Sequence, residues 1–511
     1  MSVSRKAGIV DKIRNWVVVM FENRSFDSML GHLPHIPAED GIRDREIVLN
    51  YPKGTVTIHP SKNFTDPIPD PGEEYPAVMA QVYGRYIPES NAGKSPYRIF
   101  PDYMQAPYNA AQPGDEPTMD GFALDYYYSG MWERGAELTD AEMQSFGGVF
   151  TPESAPVING LAREYAVFTH WHCDAPTCTF PNRSFFHAGT SGGLLDNEIT
   201  YNYAWTFDYD NLFQRATERD VSWTAYFDPS QKVCLTAINL AGLKHRKMWK
   251  EHTKPLDDFY ADAAAGTLPQ YSWVEPNMLF GDLCDYHPPR DIRAGEQFLA
   301  QVYEAVRNSP QWEQTALVVM FDEHGGCYDH VAPPQTVSPD GKVSPEGFEF
   351  DMLGIRIPTI IISAWTARET VIRDLHTNTS MTRTLRESLN LGDAFTKRDA
   401  WARPVNAAFN LEQPRTDTPD IRALTFTPGV ANPHAQQPVP GDIPSDPMWA
   451  QHEKKHFAQA VSHLGQATLR NAAHLLGKDP DAVPGQTADQ ARDWLGEHFY
   501  EDGQLSLPQA P

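Results

Sequence analysis

Six short, unbroken runs of apolar residues recur along the chain and limit the folds that it can adopt. Runs of this length are typical of β-strands that are covered on both faces. They occupy residues 16–21, 165–169, 221–227, 271–274, 316–321 and 359–363. Helical patterns lie between them, the clearest at residues 292–306. The alternation predicts an α/β fold with a mostly parallel sheet flanked by helices.

Polar residues follow three of these runs directly. Glu22 and Asn23 follow the first run, Glu275 the fourth, and Asp322 and Glu323 the fifth. In open α/β sheets the ligand site forms at the carboxyl ends of the strands. Carboxylate and amide oxygens suit a divalent cation. The pattern therefore indicates a metal site at this edge of the sheet.

The segment Thr177-Cys178-Thr179-Phe180-Pro181-Asn182-Arg183 has the composition of a helix start. Proline is tolerated early in a helix, and the backbone N–H groups there favour an anion. A hydroxyl at this place becomes a competent nucleophile when a metal lowers its pKa. A plain threonine cap is the alternative interpretation.

Three histidines have more than one interpretation. His287 and His376 stand in polar, loop-like segments, where they could bind a metal or a phosphoryl oxygen, or simply face solvent. For His330 we favour a structural role, in which it and Asp329 hydrogen-bond one another and brace the loop.

Composition excludes some partners. The chain has 511 residues and a formal charge of −25, from 67 acidic and 42 basic residues. This balance disfavours nucleic acid and anionic membranes as partners. No signal peptide or membrane-spanning run is visible, and five scattered cysteines do not form a disulfide framework. We expect a cytoplasmic protein, or one exported without a cleavable signal; the oligomeric state is not predicted.

The chain divides near residue 404. Residues 1–404 are predicted to form the catalytic domain. Residues 405–511 are predicted to form a proline-rich connection and a C-terminal helical appendage, with one helix around Phe457, Val461 and Leu464 and a last one around Trp494 and Leu495.

Several motifs together resemble a known family. ENRSFD follows the first strand, TFPNR lies near the middle, and HPP and DEHGGCYDHVAPP come later in the same order. They resemble the bacterial phosphoesterase family of phospholipases C and acid phosphatases, over roughly residues 10–390. The resemblance implies an alkaline-phosphatase-like core. Sulfatases share a similar Cys/Ser-x-Pro-x-Arg register, which only Thr179 matches here.

The resemblance also implies roles for individual residues. Thr179 matches the nucleophile, and Glu22, Asn23, Asp322 and Glu323 match the metal-binding pairs, with Thr179 itself also bound to the metal. The remaining roles are catalytic for His287 and Arg183, metal-binding for His376, and substrate-binding for Glu275, Asn182 and His324. Zinc is the expected metal, with manganese or magnesium as alternatives.

The expected activity is that of a phospholipase C. It would cleave phosphatidylcholine-type phospholipids to diacylglycerol and phosphocholine through a phosphothreonine. The alternatives are an acid-phosphatase-type phosphomonoesterase and a catalytically decayed binding or effector protein. An aromatic set could cage choline or belong to the core, namely Tyr126, Tyr127, Tyr128, Trp132 and Trp273. Many members of the resembled family carry a histidine shortly before the MDGF segment. The corresponding segment of this chain, between residues 95 and 122, has no histidine.

Overall fold

The computed structural model describes most of the first 421 residues and short parts of the C-terminal region. The described residues are 12–61, 63–94, 104–197, 209–240, 245–279, 283–417, 419, 421, 468–470, 472–473, 478 and 488–499. All structural statements below concern these residues.

Strands and helices alternate along the described chain. The strands are β1 Asn15–Phe21, β2 Val48–Tyr51, β3 Gly54–Thr57, β4 His59–Pro60, β5 Gly148–Val149, β6 Ala166–Phe168, β7 Trp171–His172, β8 Trp223–Phe227, β9 Thr253–Pro255, β10 Tyr271–Glu275, β11 Thr315–Phe321, β12 Thr359–Ser363, β13 Thr370–Ile372 and β14 His376–Thr377. The helices are α1 Phe26–Leu30, α2 Tyr75–Tyr83, α3 Phe122–Arg134, α4 Asp140–Ser145, α5 Pro156–Glu164, α6 Thr179–Ala188, α7 Leu212–Glu218, α8 Leu235–Asn239, α9 Arg246–His252, α10 Leu256–Ala265, α11 Ile292–Arg307, α12 Asn378–Ser388, α13 Lys397–Trp401 and α14 Ala488–Phe499.

An eight-stranded sheet forms the centre, in the order β13-β6-β12-β11-β1-β10-β8-β9. All six apolar runs form strands of this sheet, which confirms the α/β prediction. β1 lies in the middle and pairs in parallel with both β10 and β11. Every residue of β1 and β11 is buried, as expected for strands covered on both faces.

The sheet is mostly parallel, as predicted, and one strand is the exception. β12 runs antiparallel to β11, with Ala316 opposite Ser363, and also antiparallel to β6. The remaining pairings in the sheet are parallel. An unbroken apolar run specifies burial on both faces, but it carries no information about strand direction.

Helices cover the sheet with apolar faces. In α11 the buried positions include Ile292, Phe298, Leu299, Val302 and Val306, which recur with helical spacing. The predicted helix at 292–306 is therefore present, and it ends one residue later, at Arg307.

Described parts of the C-terminal region join the main core. Val405 and Phe409 are buried in it, as are Ala491 and Leu495 of α14. The predicted helix around Phe457, Val461 and Leu464 lies outside the described residues. Among the helices that the structure describes, none combines the length and the apolar character needed to cross a bilayer.

Candidate active site

The three central strands bring their acidic residues to one edge of the sheet. β10, β1 and β11 are adjacent and parallel, so Glu275, Glu22 and Asp322 all stand at the carboxyl edge. All three are completely or almost completely buried. Buried carboxylates need partners, because desolvation disfavours the charged form.

Two loops lock together at this edge. Asn23 has a positive φ of 58°, and its backbone N–H donates to Asp322 Oδ1 at 3.3 Å. The backbone N–H of Arg24 donates to the carbonyl of Glu323 at 3.2 Å. A Cβ at Gly325 would lie 2.4 Å from the carbonyl oxygen of Asn23. Only glycine permits this approach, so the glycine after His324 is what lets the two loops meet.

The oxygens at this junction have unmet bonding capacity. Within the described structure, Glu22 Oε1, Asn23 Oδ1 and Glu323 Oε1 are buried without a hydrogen-bond donor. Burial raises the pKa of Glu22 and of Glu323 well above the usual range, and the neighbouring Asp322 carboxylate adds to the effect. Buried acceptor oxygens on adjacent residues fit a divalent cation, which these residues would hold.

Arg183 ties two of the acids together. Its Nε donates to Asp322 Oδ2 at 3.0 Å, and its Nη2 lies 3.6 Å from Glu22 Oε1. Burial alone would lower the pKa of Arg183, but Asp322, Glu22 and Glu275 outweigh it and raise the pKa. This guanidinium therefore fixes the carboxylates in position.

Thr179 is the first residue of α6, one turn before Arg183 on the same helix. The side chain of the capping residue, Cys178, makes no capping hydrogen bond. Burial raises the pKa of the Cys178 thiol, and the carboxylates of Glu74 and Glu73 raise it further. The start of α6 therefore lies in the field of the acidic cluster.

The two threonines of this segment differ in their contacts. The Thr177 hydroxyl donates to the carbonyl oxygen of Leu195. For the Thr179 hydroxyl, the described part of the chain provides no comparable hydrogen bond. Asn182 braces the turn before the helix, since its Nδ2 donates to the carbonyls of Ala175 and Thr177.

Two residues predicted to bind substrate make internal contacts instead. Glu275 accepts the backbone N–H groups of Leu235 and Thr236, both at 3.1 Å, and so caps α8. The Nε2–H of His324 donates to Gln81 Oε1 at 2.8 Å, and burial lowers the pKa of His324 to about 3. Both side chains are completely buried.

The loops that carry Glu22, Asn23, Asp322 and Glu323 form what we call the acidic junction. His287 reaches this junction from a different loop. Its Nε2 accepts from Asn23 Nδ2 at 2.9 Å. Asp70 and Glu73 stand beside it, and the ligand atoms of the three residues lie within 4.8 Å of one another. Asp70 and Glu73 were not among the predicted site residues. The acidic composition of the segment DPGEE was a signal, but nothing in the sequence placed it beside the strand ends.

His376 does not join this group. Its ring stacks on Trp171 at 5.5 Å and meets Phe168 edge-on at 4.8 Å. Its Nδ1–H donates to the carbonyl of Asp374 at 2.8 Å, and burial lowers its pKa. These contacts place the ring in the core around β6 and β7, and not among the carboxylates.

His330 braces the structure, as predicted, but with different partners. Its Nδ1–H donates to Asp27 Oδ2 at 2.6 Å. The buried Arg356 connects Asp27 to Asp329, at 3.0 Å and 2.9 Å respectively. Because Arg356 satisfies both carboxylates, this network does not need a cation.

A comparison of the sequence with known families identifies its relatives. The model of the family described as "Phosphoesterase family" matches residues 13–392. This range spans the strands and loops described above. The chain belongs to this family. Like other phosphoesterases, it is a hydrolase that acts on phosphoric esters.

Several named relatives resemble this phosphoesterase along much of its length. Non-specific phospholipase C1 of Arabidopsis thaliana is 33% identical over 97% of this chain and 87% of its own. Phospholipase C A of Mycobacterium tuberculosis is 25% identical over 59% of this chain and 61% of its own. A solved structure of an alkaline phosphatase superfamily protein from Vibrio parahaemolyticus overlaps 51% of this chain and 64% of its own, with 15% identity and a TM-score of 0.31.

Five aromatic residues of the phosphoesterase were candidates for a choline-binding cage. Two of them belong to its core. Tyr126 is buried, its hydroxyl donates to the carbonyl of Pro69 at 3.0 Å, and its ring stacks on Phe146. Trp273 is buried against Phe186 and His187. Of the five aromatic residues considered, at least Tyr126 and Trp273 therefore do not face a substrate.

Proposed function

We propose that this phosphoesterase is a metal-dependent phospholipase C. It cleaves phosphatidylcholine-type phospholipids to diacylglycerol and phosphocholine, and Thr179 is its nucleophile. The observation that carries the proposal is the junction of Glu22, Asn23 and Glu323, whose buried oxygens accept no hydrogen bond in the described structure and would suit a cation. The names of the relatives, non-specific phospholipase C and phospholipase C A, support the substrate class.

Thr179 supports the nucleophilic role by its position. It begins α6, where the partial positive charge of the helix N-terminus favours an anionic oxygen and a bound phosphoryl group. The Thr179 oxygen would attack phosphorus, and the diacylglycerol oxygen would leave on the opposite side. Water would then hydrolyse the phosphothreonine and release phosphocholine.

Other residues of the chain hold this arrangement. Arg183 keeps Asp322 and Glu22 in place through its buried ion pairs, so we assign it a positioning role. Glu275 fixes α8 and adds to the field around Arg183. A divalent cation, zinc in preference to manganese or magnesium, would lower the pKa of the attacking hydroxyl and stabilise charge on the phosphoryl oxygens.

Lipid product analysis tests the proposal. The purified protein is treated with a chelator, reloaded separately with zinc, manganese or magnesium, and given phosphatidylcholine or a simple phosphomonoester. We expect diacylglycerol and phosphocholine from phosphatidylcholine, detected by mass spectrometry, and only after metal is restored.

Other outcomes identify the alternatives. Inorganic phosphate from monoesters with no diacylglycerol would favour a phosphomonoesterase. Full activity in rigorously metal-free protein would refute the metal-dependent mechanism. Absence of turnover with every substrate, despite bound metal, would favour a binding or effector role.

A further inference from the structure

Gln81 of α2 connects separate parts of the chain beside the acidic junction. Its side chain is buried. Its Nε2 donates to the carbonyl of Gly72 at 2.7 Å and to Asp125 Oδ2 at 2.9 Å. Its Oε1 accepts from His324 Nε2 at 2.8 Å. Gly72 lies in the loop before α2, Asp125 lies in α3, and His324 directly follows Glu323. One amide therefore bridges three elements of the fold.

The partners of this amide determine its orientation. The carbonyl oxygen of Gly72 can only accept a hydrogen bond, so the NH₂ group of Gln81 must face it. The oxygen of Gln81 therefore faces His324. An amide oxygen can only accept, so Nε2 of His324 must carry the proton of this hydrogen bond. Gln81 thus fixes both the direction and the tautomer of the His324 ring.

The ring of His324 stands against the carboxylate of Glu323. Its Nδ1 lies 3.4 Å from Glu323 Oε2, and the ring of Phe122 meets it edge-on at 6.3 Å. The backbone N–H of Gly325 donates to the same Oε2 at 2.6 Å. Within the described structure, Oε1 of Glu323 is buried without a donor. These contacts restrict Oε2 and leave Oε1 as the oxygen that can bind a cation.

We propose that Gln81 is a positioning residue for Glu323. Through His324 it fixes the loop of residues 323–325, so that Glu323 Oε1 is already in place when the cation binds. Hydrogen-bonded neighbours of this kind orient metal ligands, and their loss usually weakens metal affinity about 10- to 100-fold. Gln81 itself touches neither the cation nor the reacting atoms. The role rests on the proposed function, since it requires a bound cation.

Metal affinity of the whole protein tests this role without measuring turnover. The chelator-treated protein is titrated with Zn²⁺ and, separately, with Mn²⁺, against a chromophoric chelator that reports the free metal. Gln81→Met removes the acceptor and both donors but keeps the length of the side chain. We expect its Kd for the metal to rise about 10-fold or more, because the ring beside Glu323 is no longer fixed.

A double-mutant cycle shows whether Gln81 acts through His324. His324→Phe should raise the Kd to a degree similar to that of Gln81→Met. Residues that act through one contact have effects that do not add, so the double variant should bind metal about as well as either single variant. Effects of the two substitutions that multiply in the Kd would contradict this route.

Tyr86→Phe is the matched control for stability. The Tyr86 hydroxyl donates to Asp125 Oδ1 at 2.8 Å, so its loss disturbs the same carboxyl group but not the contact between Gln81 and His324. It should lower the Tm and leave the Kd unchanged. An unchanged Kd in folded Gln81→Met would overturn the role of Gln81 and leave the proposed function intact. Wild-type protein that binds neither metal would overturn both.

The wild type alone provides a second measurement, which holds even where Gln81→Met fails to fold. Nitrogen-15 NMR of the histidine rings distinguishes the two neutral tautomers, with His324 assigned from its backbone signals. We expect the Nε2–H tautomer, because this nitrogen donates to Gln81. The Nδ1–H tautomer would contradict the bridge and overturn the role of Gln81.

Discussion

Two threonines only two positions apart have different expected roles. Thr177 makes a structural hydrogen bond to the carbonyl of Leu195, whereas Thr179 begins α6, the helix whose Arg183 pairs with Asp322 and Glu22. We predict that Thr179→Ala removes nearly all lipid hydrolysis, because no other hydroxyl occupies the start of the helix. Steady-state assays with saturating metal would measure the loss.

Thr177→Ala provides the comparison. It should keep most of the activity and lower the free energy of unfolding by about 1 kcal/mol, the usual contribution of one hydrogen bond. The assignment of the nucleophile is wrong if Thr177→Ala is inactive while Thr179→Ala hydrolyses lipid normally.

The carboxyl of Asp125 predicts a pH effect on stability. It accepts hydrogen bonds from Gln81 and Tyr86, and burial raises its pKa from 3.8 to about 7. Because the folded-state pKa is the higher one, stability from the protonated form is complete below pH 3.8 and is lost as the pH rises to about 7. The loss is a few kcal/mol, at about 1.4 kcal/mol per pKa unit.

The neutral isostere isolates this contribution. Asp125→Asn cannot ionise, and the Tyr86 hydroxyl can accept from its new amide group. The Tm of the wild type minus that of Asp125→Asn should therefore fall as the pH rises from about 4 to about 7, measured by calorimetry. A difference that stays constant or rises over this range would contradict the assigned direction of the pKa shift.

Residues at the ends of adjacent strands could be placed together from the sequence, whereas residues on separate loops could not. Glu22, Asn23, Asp322 and Glu323 were predicted to be neighbours because adjacent parallel strands end at one edge. Asp70 and Glu73 reach the same place through a long loop, whose path no local pattern specifies. His376 has the residue type of a ligand, but its position depends on aromatic packing that the sequence did not reveal.

At the scale of elements, the short helix α8 depends on a single carboxylate. Glu275 accepts two backbone N–H groups at its start and faces the charge of Arg183. Glu275→Gln would place an amide donor against one of these N–H groups. We predict a loss of about 1–2 kcal/mol in the free energy of unfolding, the usual contribution of a helix cap, together with reduced lipid hydrolysis.

Glu296→Gln is the matched variant. Glu296 accepts the backbone N–H groups of Val157 and Ile158 at the start of α5. Its side-chain partner among the described residues is the hydroxyl of Tyr286, and not Arg183. It should lower the Tm to a similar degree and leave activity at assay temperature unchanged. Equal loss of activity in both variants would mean that Glu275 acts only through stability.

The strands were predictable because each is buried on both faces and is therefore apolar throughout. Six of the eight strands of the sheet were predicted, with boundaries within two residues, whereas the short strands β9 and β13 were not. The direction of β12 did not, since an apolar run buries the same side chains in either orientation. Strand direction depends on the connections, and the long segment between β11 and β12 contains no regular crossover helix in its described residues.

At the scale of the whole molecule, net charge should govern the choice of lipid surface. The formal charge is −25, and a bound divalent cation would leave the protein strongly negative. We predict that the inactive Thr179→Ala variant binds vesicles of phosphatidylcholine more strongly than vesicles containing phosphatidylglycerol, because like charges repel. Co-sedimentation at low ionic strength measures this difference.

Added salt should reduce the difference in binding between the two kinds of vesicle, since the Debye length falls from about 30 Å at 0.01 M to about 10 Å at 0.1 M. Stronger binding to the anionic vesicles at low salt would show that a local basic surface, and not the net charge, controls docking.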